Sequence, residues 1–156
     1  MWELNEGQYF SEFSRDLHVV KPYAIPHDWR RCLTIDYGLD MLAALWIAQS
    51  PDGHSVVYRE LYRPGLIISD AAAQILACET AGERIDCVSR RPICGTDGRE
   101  TGRSAVELFR GQRTGFVKSS NERVAGWLAL HELLMPRKHT DGAVRPRLRF
   151  STPAAI

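Results

Sequence analysis

The sequence predicts an α/β protein in which an antiparallel three-strand meander is followed by alternating helices and strands. Three consecutive segments between residues 31 and 62 read as strands, two of them with alternating faces, and a strong turn signal separates the last two. Beyond them, helical spacing of apolar residues alternates with short strand-like segments, an order typical of mixed α/β sheets. The 156 residues, 44% hydrophobic and 25% charged, suit one globular domain.

The meander accounts for residues 31–62. Residues 31–36 are predicted as its first strand, with Leu33 and Ile35 on one face and Asp36 on the other. Gly38 permits a sharp turn into a second, largely buried strand at residues 41–49. Asp52-Gly53 is a strong hairpin signal, and residues 55–62 return as the third strand. Asp36 therefore ends the first strand, where a buried carboxylate would need a partner such as a metal ion.

The segments around the meander complete the predicted order. Residues 1–30 are expected to form an extended arm, because Pro22 and Pro26 disfavour a helix. Ser69 is expected to cap a helix over residues 70–79, and residues 84–88 are a short strand candidate. Further elements are a helix with a Ser104–Glu107 capping box, a strand at 115–118, a helix with a Ser119–Glu122 capping box and a strand at 146–150.

The last of these helices carries an apolar stripe that is expected to face the core, formed by Val124, Trp127, Leu128, His131 and Leu134. His131 is therefore expected to be a satisfied core histidine, and His18 to pack within the arm.

Composition narrows the class of protein. No apolar run is long enough to cross a bilayer and no signal peptide is visible, so we expect a soluble, cytoplasmic protein. The four cysteines, Cys32, Cys78, Cys87 and Cys94, form no zinc-binding pattern and are expected to be reduced thiols. Residues 1–83 are acidic, with 6 Lys and Arg against 12 Asp and Glu, whereas residues 84–156 have 14 against 7. This asymmetry suits a protein that holds a metal on one side and phosphates on the other, although an Arg-rich solvated surface explains it equally well.

Several stretches in collinear order resemble one family. "HVV", "IPHDW", "DYG" and "YRELY" follow one another between residues 18 and 62, and "TGRSAVELFRGQRTGFVKSSNERVAGWLALHELL" and "PRLRF" follow later. Together they resemble the nuclease domain of tailed-phage terminase large subunits. The resemblance implies an RNase H-like fold over residues 31–156. It also implies a metal-dependent endonuclease that cuts double-stranded phage DNA during packaging, with two Mg²⁺ or Mn²⁺ ions held by carboxylates.

The resemblance assigns Asp36 as the first metal ligand and catalytic acid. Ile93 stands where close relatives carry the second acid, so Asp86 and Asp97, on either side of it, are the candidates. Glu60 is a further candidate ligand, since it could approach Asp36 across the meander, although a solvent-facing acid explains it as well. The family takes its third acid from beyond the "PRLRF" strand, and no acid follows Asp141 here. The domain is therefore expected to be incomplete at its carboxyl end.

Basic residues in the second half are the expected DNA contacts, through phosphates and without sequence readout. They are Arg90, Arg91, Arg99, Arg103 and Lys118. The resemblance implies a protein partner, which is a terminase ATPase domain, the small terminase subunit or the portal. No Gly-rich phosphate loop of an ATPase occurs in the chain. Two alternatives stay open: a non-catalytic prophage remnant that binds DNA or packaging proteins, and a structural protein with no role on nucleic acid.

Overall fold

A seven-stranded mixed sheet is the centre of the structure, a computed structural model that describes residues 9–38, 40–90, 116–118 and 122–152. The helices are α1 Arg15–His18, α2 Ile68–Ala77 and α3 Arg123–Leu134. The strands are β1 Val19–Val20, β2 Arg30–Tyr37, β3 Met41–Gln49, β4 Ser55–Pro64, β5 Cys87–Arg90, β6 Phe116–Lys118, β7 Arg137–Lys138, β8 Val144–Arg145 and β9 Leu148–Ser151. β7 and β8 form a separate two-stranded hairpin.

The strand order in the sheet is β1-β9-β4-β3-β2-β5-β6. β2, β3 and β4 pair antiparallel, and the pairing of β2 with β3 runs without interruption from Arg30–Gln49 to Tyr37–Leu42. β5 and β6 continue the sheet in parallel beside β2, and β9 and β1 continue it in parallel beside β4. The predicted RNase H-like α/β fold, a meander followed by alternating helices and strands, is confirmed.

One face of the sheet carries the larger part of the core. Alternate residues of β3 are buried, with Ala44 and Trp46 fully enclosed, because they point to the same side of the pleat. Helix α2 covers this face and packs Ala71 and Ile75 against it. The predicted cap at Ser69 is wrong: the helix begins at Ile68, which itself packs on the core, and Ile67 is its N-cap.

The other face is covered by the carboxyl end of helix α3. Leu134 is buried there with Val57 and Leu148, and Leu130 and Leu133 pack around them.

The predicted apolar stripe of α3 is therefore wrong except at Leu134. Val124, Trp127 and Leu128 are 64%, 41% and 57% exposed, because the helix meets the sheet through its last turn and a different set of positions. The helix starts at Arg123, which places Glu122 at the N-cap rather than at the third position of a capping box; Ser119 lies outside the described residues.

The arm contains more regular structure than the prolines suggested. Residues 15–18 form one helical turn and Val19–Val20 pair with β9, upstream of Pro22, where a proline does not oppose them. His18 is buried, as expected. One of its ring nitrogens, Nε2, lies 2.8 Å from the Leu134 carbonyl oxygen and the other, Nδ1, lies 2.9 Å from that of Ser14. The arm is thereby tied to the end of α3.

A disulfide joins Cys32 of β2 to Cys87 of β5. The expectation of reduced thiols is wrong for this pair, since parallel pairing places the two residues side by side with Cα atoms 4.8 Å apart. They are 55 residues apart in the sequence, so spacing rules did not reveal them. Cys78 is a free, half-buried thiol, and Cys94 lies outside the described residues. Within the ranges given above, no helix has the length and apolar character needed to span a bilayer.

Candidate functional site

Asp36 lies on β2, one residue before the strand ends, and is exposed to solvent. The neighbouring parallel strands end at the same level as β2. Ile35 of β2 pairs with Arg90 of β5, and Arg90 pairs with Lys118 of β6. The carboxyl ends of β2, β5 and β6 therefore meet at one edge of the sheet, which we call the Asp36 edge. In open α/β sheets, ligands bind beyond the carboxyl ends of the strands.

The Asp36 edge brings together part of the predicted site. The backbones of Arg90 and Lys118, two predicted DNA contacts, end their strands beside Asp36. The other predicted residues of this region, Arg91, Ile93, Asp97, Arg99 and Arg103, lie outside the described residues.

Glu60 lies on the same face of the sheet as Asp36 but at a different level along the strands. It is exposed on β4 and pairs with Leu45 of β3, which in turn pairs with Thr34 of β2. Two strand spacings and one two-residue step separate its Cα from that of Asp36, a distance of about 12 Å. The structure does not bring the two carboxylates together.

Asp86 lies at the opposite end of β2. Its Oδ2 accepts a hydrogen bond of 2.9 Å from the Arg31 backbone N–H, and its Oδ1 is 2.8 Å from Nε of Arg84. Arg31 is five residues before Asp36, which separates the two ends by about 16 Å at 3.3 Å per residue. These contacts give Asp86 a structural role at the start of the strand, and the structure does not bring it to the Asp36 edge.

The residues described fit a divalent cation only in part. Asp36 offers the hard carboxylate oxygen that Mg²⁺ and Mn²⁺ prefer. Among the described residues, however, no three His, Cys, Asp or Glu side chains are grouped so that they could hold a metal ion. Asp36 alone does not complete a site, and further ligands would have to come from residues outside the described ranges.

A buried charge network occupies the region where β2 begins. Glu83, whose side chain is 8% exposed, accepts hydrogen bonds from the Tyr58 hydroxyl at 2.7 Å, Nη1 of Arg59 at 2.8 Å and the Thr80 backbone N–H at 3.0 Å. The Arg59 guanidinium also lies over the rings of Trp46 and Tyr58, 5.4 and 5.3 Å from their centroids.

This network shifts the acidity of its members. Burial acts to raise the pKa of Glu83, but the hydrogen bonds from Thr80, Tyr58 and Arg59 outweigh it and the pKa lies below its ordinary value. Burial, and then the hydrogen bond to Glu83, raise the pKa of Tyr58 well above its ordinary value. Glu83 is therefore ionised and Tyr58 protonated at neutral pH.

A cleft of about 1070 Å³ opens beside this network. We call it the arm cleft, because arm residues 23–25 and 27–30 form one wall and residues 80–84 and 86 form another. Its lining includes Tyr23, Trp29, Arg31, Tyr58, Glu83 and Arg84. The sequence predicted an extended arm over residues 1–30 and, apart from Asp86, assigned no functional residue to this region. The signal was present in "PYAIPHDWRR", where two aromatic residues precede two arginines.

His131 differs from its expected role as a core histidine. Its side chain is 29% exposed and its Nδ1 contacts Oε1 of Glu12, whose side chain is buried. The rings of Tyr9 and Phe10 lie 4.8 and 5.1 Å from the imidazole. The contact joins the arm to α3.

Comparison with known proteins identifies the fold. No protein-family model matches the sequence, and no curated protein matches it. Among solved structures, the large terminase of the thermophilic bacteriophage D6E in complex with ADP matches 97% of this chain with a TM-score of 0.69 and 16% identity. The P22 large terminase nuclease domain matches 96% of it with a TM-score of 0.65 and 12% identity.

The chain spans 35% of the D6E protein and 74% of the P22 domain. The fold is that of a large-terminase nuclease domain, as the sequence resemblance implied.

Proposed function

We propose that this chain is a large-terminase nuclease domain that cuts double-stranded DNA with the help of Mg²⁺ or Mn²⁺. The observation that carries the proposal is the position of Asp36. It is an exposed carboxylate at the carboxyl ends of parallel strands, in the fold of the P22 nuclease domain, beside two strand ends that carry basic residues. A carboxylate at such an edge can ligate a cation, and basic residues of the same domain can bind phosphate.

Asp36 is the proposed first ligand. When bound, the metal would supply Lewis-acid activation of water and of the scissile phosphate. Asp97 is the sequence candidate for a second ligand, and Arg91, Arg99 and Arg103 are the candidates for phosphate contacts; all four lie outside the described residues. The proposed cellular setting is the bacterial cytoplasm, with a terminase ATPase domain, small terminase subunit or portal as partner.

Ile93, which stands where the resemblance places the second acid, favours a second candidate function, a non-catalytic protein that keeps the fold and binds DNA. The two candidates differ in one measurable property, because only the first hydrolyses phosphodiester bonds.

Nicking of supercoiled plasmid in Mn²⁺ or Mg²⁺ tests the proposal. We expect the wild type to convert plasmid to the nicked form, and Asp36→Asn to reduce the rate at least 100-fold, because the amide carries no charge to hold the cation. Asp40→Asn is the matched control, since Asp40 is also an exposed acid and lies just beyond the same turn; its rate should stay within twofold of wild type. Equal rates for wild type and Asp36→Asn would refute the assignment of Asp36. No nicking by any variant, together with salt-sensitive binding of duplex DNA, would support the non-catalytic function instead.

A further inference from the structure

The arm cleft is separate from the Asp36 edge. Arg31 lines the cleft at the start of β2, five residues and about 16 Å before Asp36. The proposed nuclease chemistry makes no use of it. Its volume of about 1070 Å³ is comparable with that of small-molecule sites, which are typically 300–1,000 Å³ or so.

The arm wall of the cleft presents two aromatic rings. Tyr23 is 42% exposed and Trp29 is half-buried, and their ring centroids are 6.3 Å apart in an edge-to-face arrangement. Because the ring planes are nearly perpendicular, a flat ligand can stack on one ring and meet the edge of the other.

The backbone that carries these rings is fixed by hydrogen bonds. The Arg31 guanidinium donates to the carbonyl oxygens of Ile25 at 3.1 Å and Pro26 at 3.3 Å, and the Trp29 backbone N–H donates to Pro26 at 3.3 Å. The aromatic wall is therefore pre-organised, which lowers the entropic cost of binding a ligand.

The charged residues that line the arm cleft include arginines that are available to bind a phosphate group. Four arginines, Arg30, Arg31, Arg59 and Arg84, face three acids, Asp28, Glu83 and Asp86.

Two of the acids are already neutralised. Glu83 is held by Arg59 and Tyr58, and Asp86 by Arg84 and the Arg31 backbone. Arg30 is exposed and makes no ion pair within the described residues, and the Arg84 side chain is 85% exposed. Because the Arg84 side chain is mostly exposed, its ion pair with the half-buried Asp86 is weak enough to be exchanged for a phosphate group.

We infer that the arm cleft binds a nucleotide unit, with the base stacked on Tyr23 or Trp29 and the phosphate held by Arg30 and Arg84. Aromatic rings beside arginines are the combination that binds single-stranded nucleic acid, because every base offers a face for stacking. Duplex DNA keeps its base faces covered, so the cleft should prefer unpaired nucleotides. Two sources of the ligand share this chemistry: a single-stranded DNA segment and a free mononucleotide.

Binding in EDTA tests the inference without any contribution from a metal site. The probes are fluorescein-labelled dT8, unlabelled thymidine 5′-monophosphate and ATP as competitors, and a labelled 20-base-pair duplex. Trp29→Ala and Arg30→Ala should each weaken dT8 binding at least tenfold, and Trp29→Phe should restore most of it because it keeps a stacking face. Trp127→Ala is the matched control: Trp127 is 41% exposed on α3, outside the cleft lining, and its removal should change dT8 binding less than twofold.

The outcomes distinguish the two sources of the ligand, and they distinguish this inference from the nuclease proposal. Competition by either mononucleotide near its own dissociation constant would identify a free nucleotide as the ligand, and binding of dT8 alone would identify single-stranded DNA. Equal effects of Trp29→Ala and Trp127→Ala, tighter binding of duplex than of dT8, or no binding of any probe would overturn the inference. Asp36→Asn should bind dT8 as the wild type does, so failure here is distinguishable from failure of the nuclease proposal.

Discussion

The two ends of strand β2 differ in the contacts that surround them. At its start, a disulfide, a buried carboxylate with three hydrogen-bond donors and an acid bonded to the backbone fix the neighbouring segments to one another. At its end, Asp36 stands exposed where three parallel strands finish. Within the described ranges, the disulfide and the two bonded acids lie away from the edge at which we propose chemistry, where the Tyr37 hydroxyl donates to the Leu66 carbonyl oxygen. Substitutions at the start should therefore change stability, and substitutions at the end should change activity.

The largest effect on stability is expected from the disulfide. The cysteines are 55 residues apart, and the loop-closure model then gives about 4 kcal/mol of stabilisation, because the cross-link restricts the unfolded chain. Cys32→Ser should lower the free energy of unfolding by about that amount in urea titrations without reductant. Wild-type protein in excess reductant should match the variant.

Cys78→Ser is the matched control, since Cys78 is a free thiol, and its stability should be the same with and without the reductant. A disulfide protects Cys32 and Cys87 from alkylation in unfolded wild-type protein that has not been reduced. Alkylation of Cys32, Cys78 and Cys87 together under these conditions would show that the disulfide is absent.

The next largest effect is expected at Glu83. Glu83→Gln leaves the Arg59 guanidinium in a buried network without its counter-charge and should lower the free energy of unfolding by about 2 kcal/mol. Glu60→Gln is the control, because Glu60 is exposed on the same strand as Arg59, and its change should stay below about 0.5 kcal/mol. Equal stability of the two variants would show that the network contributes nothing.

The Glu83 pKa gives this effect a pH dependence of known sign. The folded-state pKa lies below the ordinary value of 4.5, so the ionised carboxylate stabilises the fold. This stabilisation is complete above pH 4.5 and is lost as the pH falls through the folded-state pKa. The stability difference between wild type and Glu83→Gln should be constant from pH 5.5 to 7.5 and shrink below pH 4.5. A difference that grows on acidification would reverse the assigned sign.

A smaller effect is expected at Asp86, and it distinguishes Asp86 from Asp36, two of the three acids that the sequence proposed as catalytic. Asp86→Ala removes the acceptor of the Arg31 N–H and should cost about 1–2 kcal/mol in urea unfolding. Plasmid nicking per folded molecule should stay within twofold of wild type, because Asp86 lies at the far end of β2. A loss of nicking as large as that of Asp36→Asn would place Asp86 in the chemistry.

Much of the fold could be predicted because its signals are local. The bounds of β3 follow from the apolar segment at residues 41–49 between turn residues, and the β3–β4 turn follows from Asp52-Gly53, where Gly53 has a φ of 86°. Two features could not be predicted in this way. The Cys32–Cys87 pairing needs the register of two parallel strands, and the buried face of α3 is decided by which turn meets the sheet.

The candidate site, unlike much of the fold, could be predicted only in part. A strand-end acid before a turn indicated Asp36, and the structure places it at the carboxyl edge where the parallel strands finish. Asp86 is next to β5 in the sequence, which suggested a position at the Asp36 edge. In the structure it lies just before the start of β5, at the opposite end of the strand from that edge. The arm cleft is built from segments near residues 25, 58 and 83, so "PYAIPHDWRR" shows the aromatic and basic residues of one wall but not the cleft itself.

The smallest effect on stability is expected at Asp36, where the effect on metal binding should be decisive. Because the residue is exposed, Asp36→Ala should change the free energy of unfolding by less than about 0.5 kcal/mol in metal-free buffer. A cation bound to the folded state stabilises it by mass action, by about 1.4 kcal/mol at ten times its dissociation constant. Added Mn²⁺ should therefore raise the midpoint of thermal unfolding of the wild type and of Asp40→Asn by about 2–5 °C, and that of Asp36→Ala hardly at all. An equal rise in all three proteins would place the cation elsewhere. A large loss of stability in Asp36→Ala without metal would mean that this end of β2 is structural like the other.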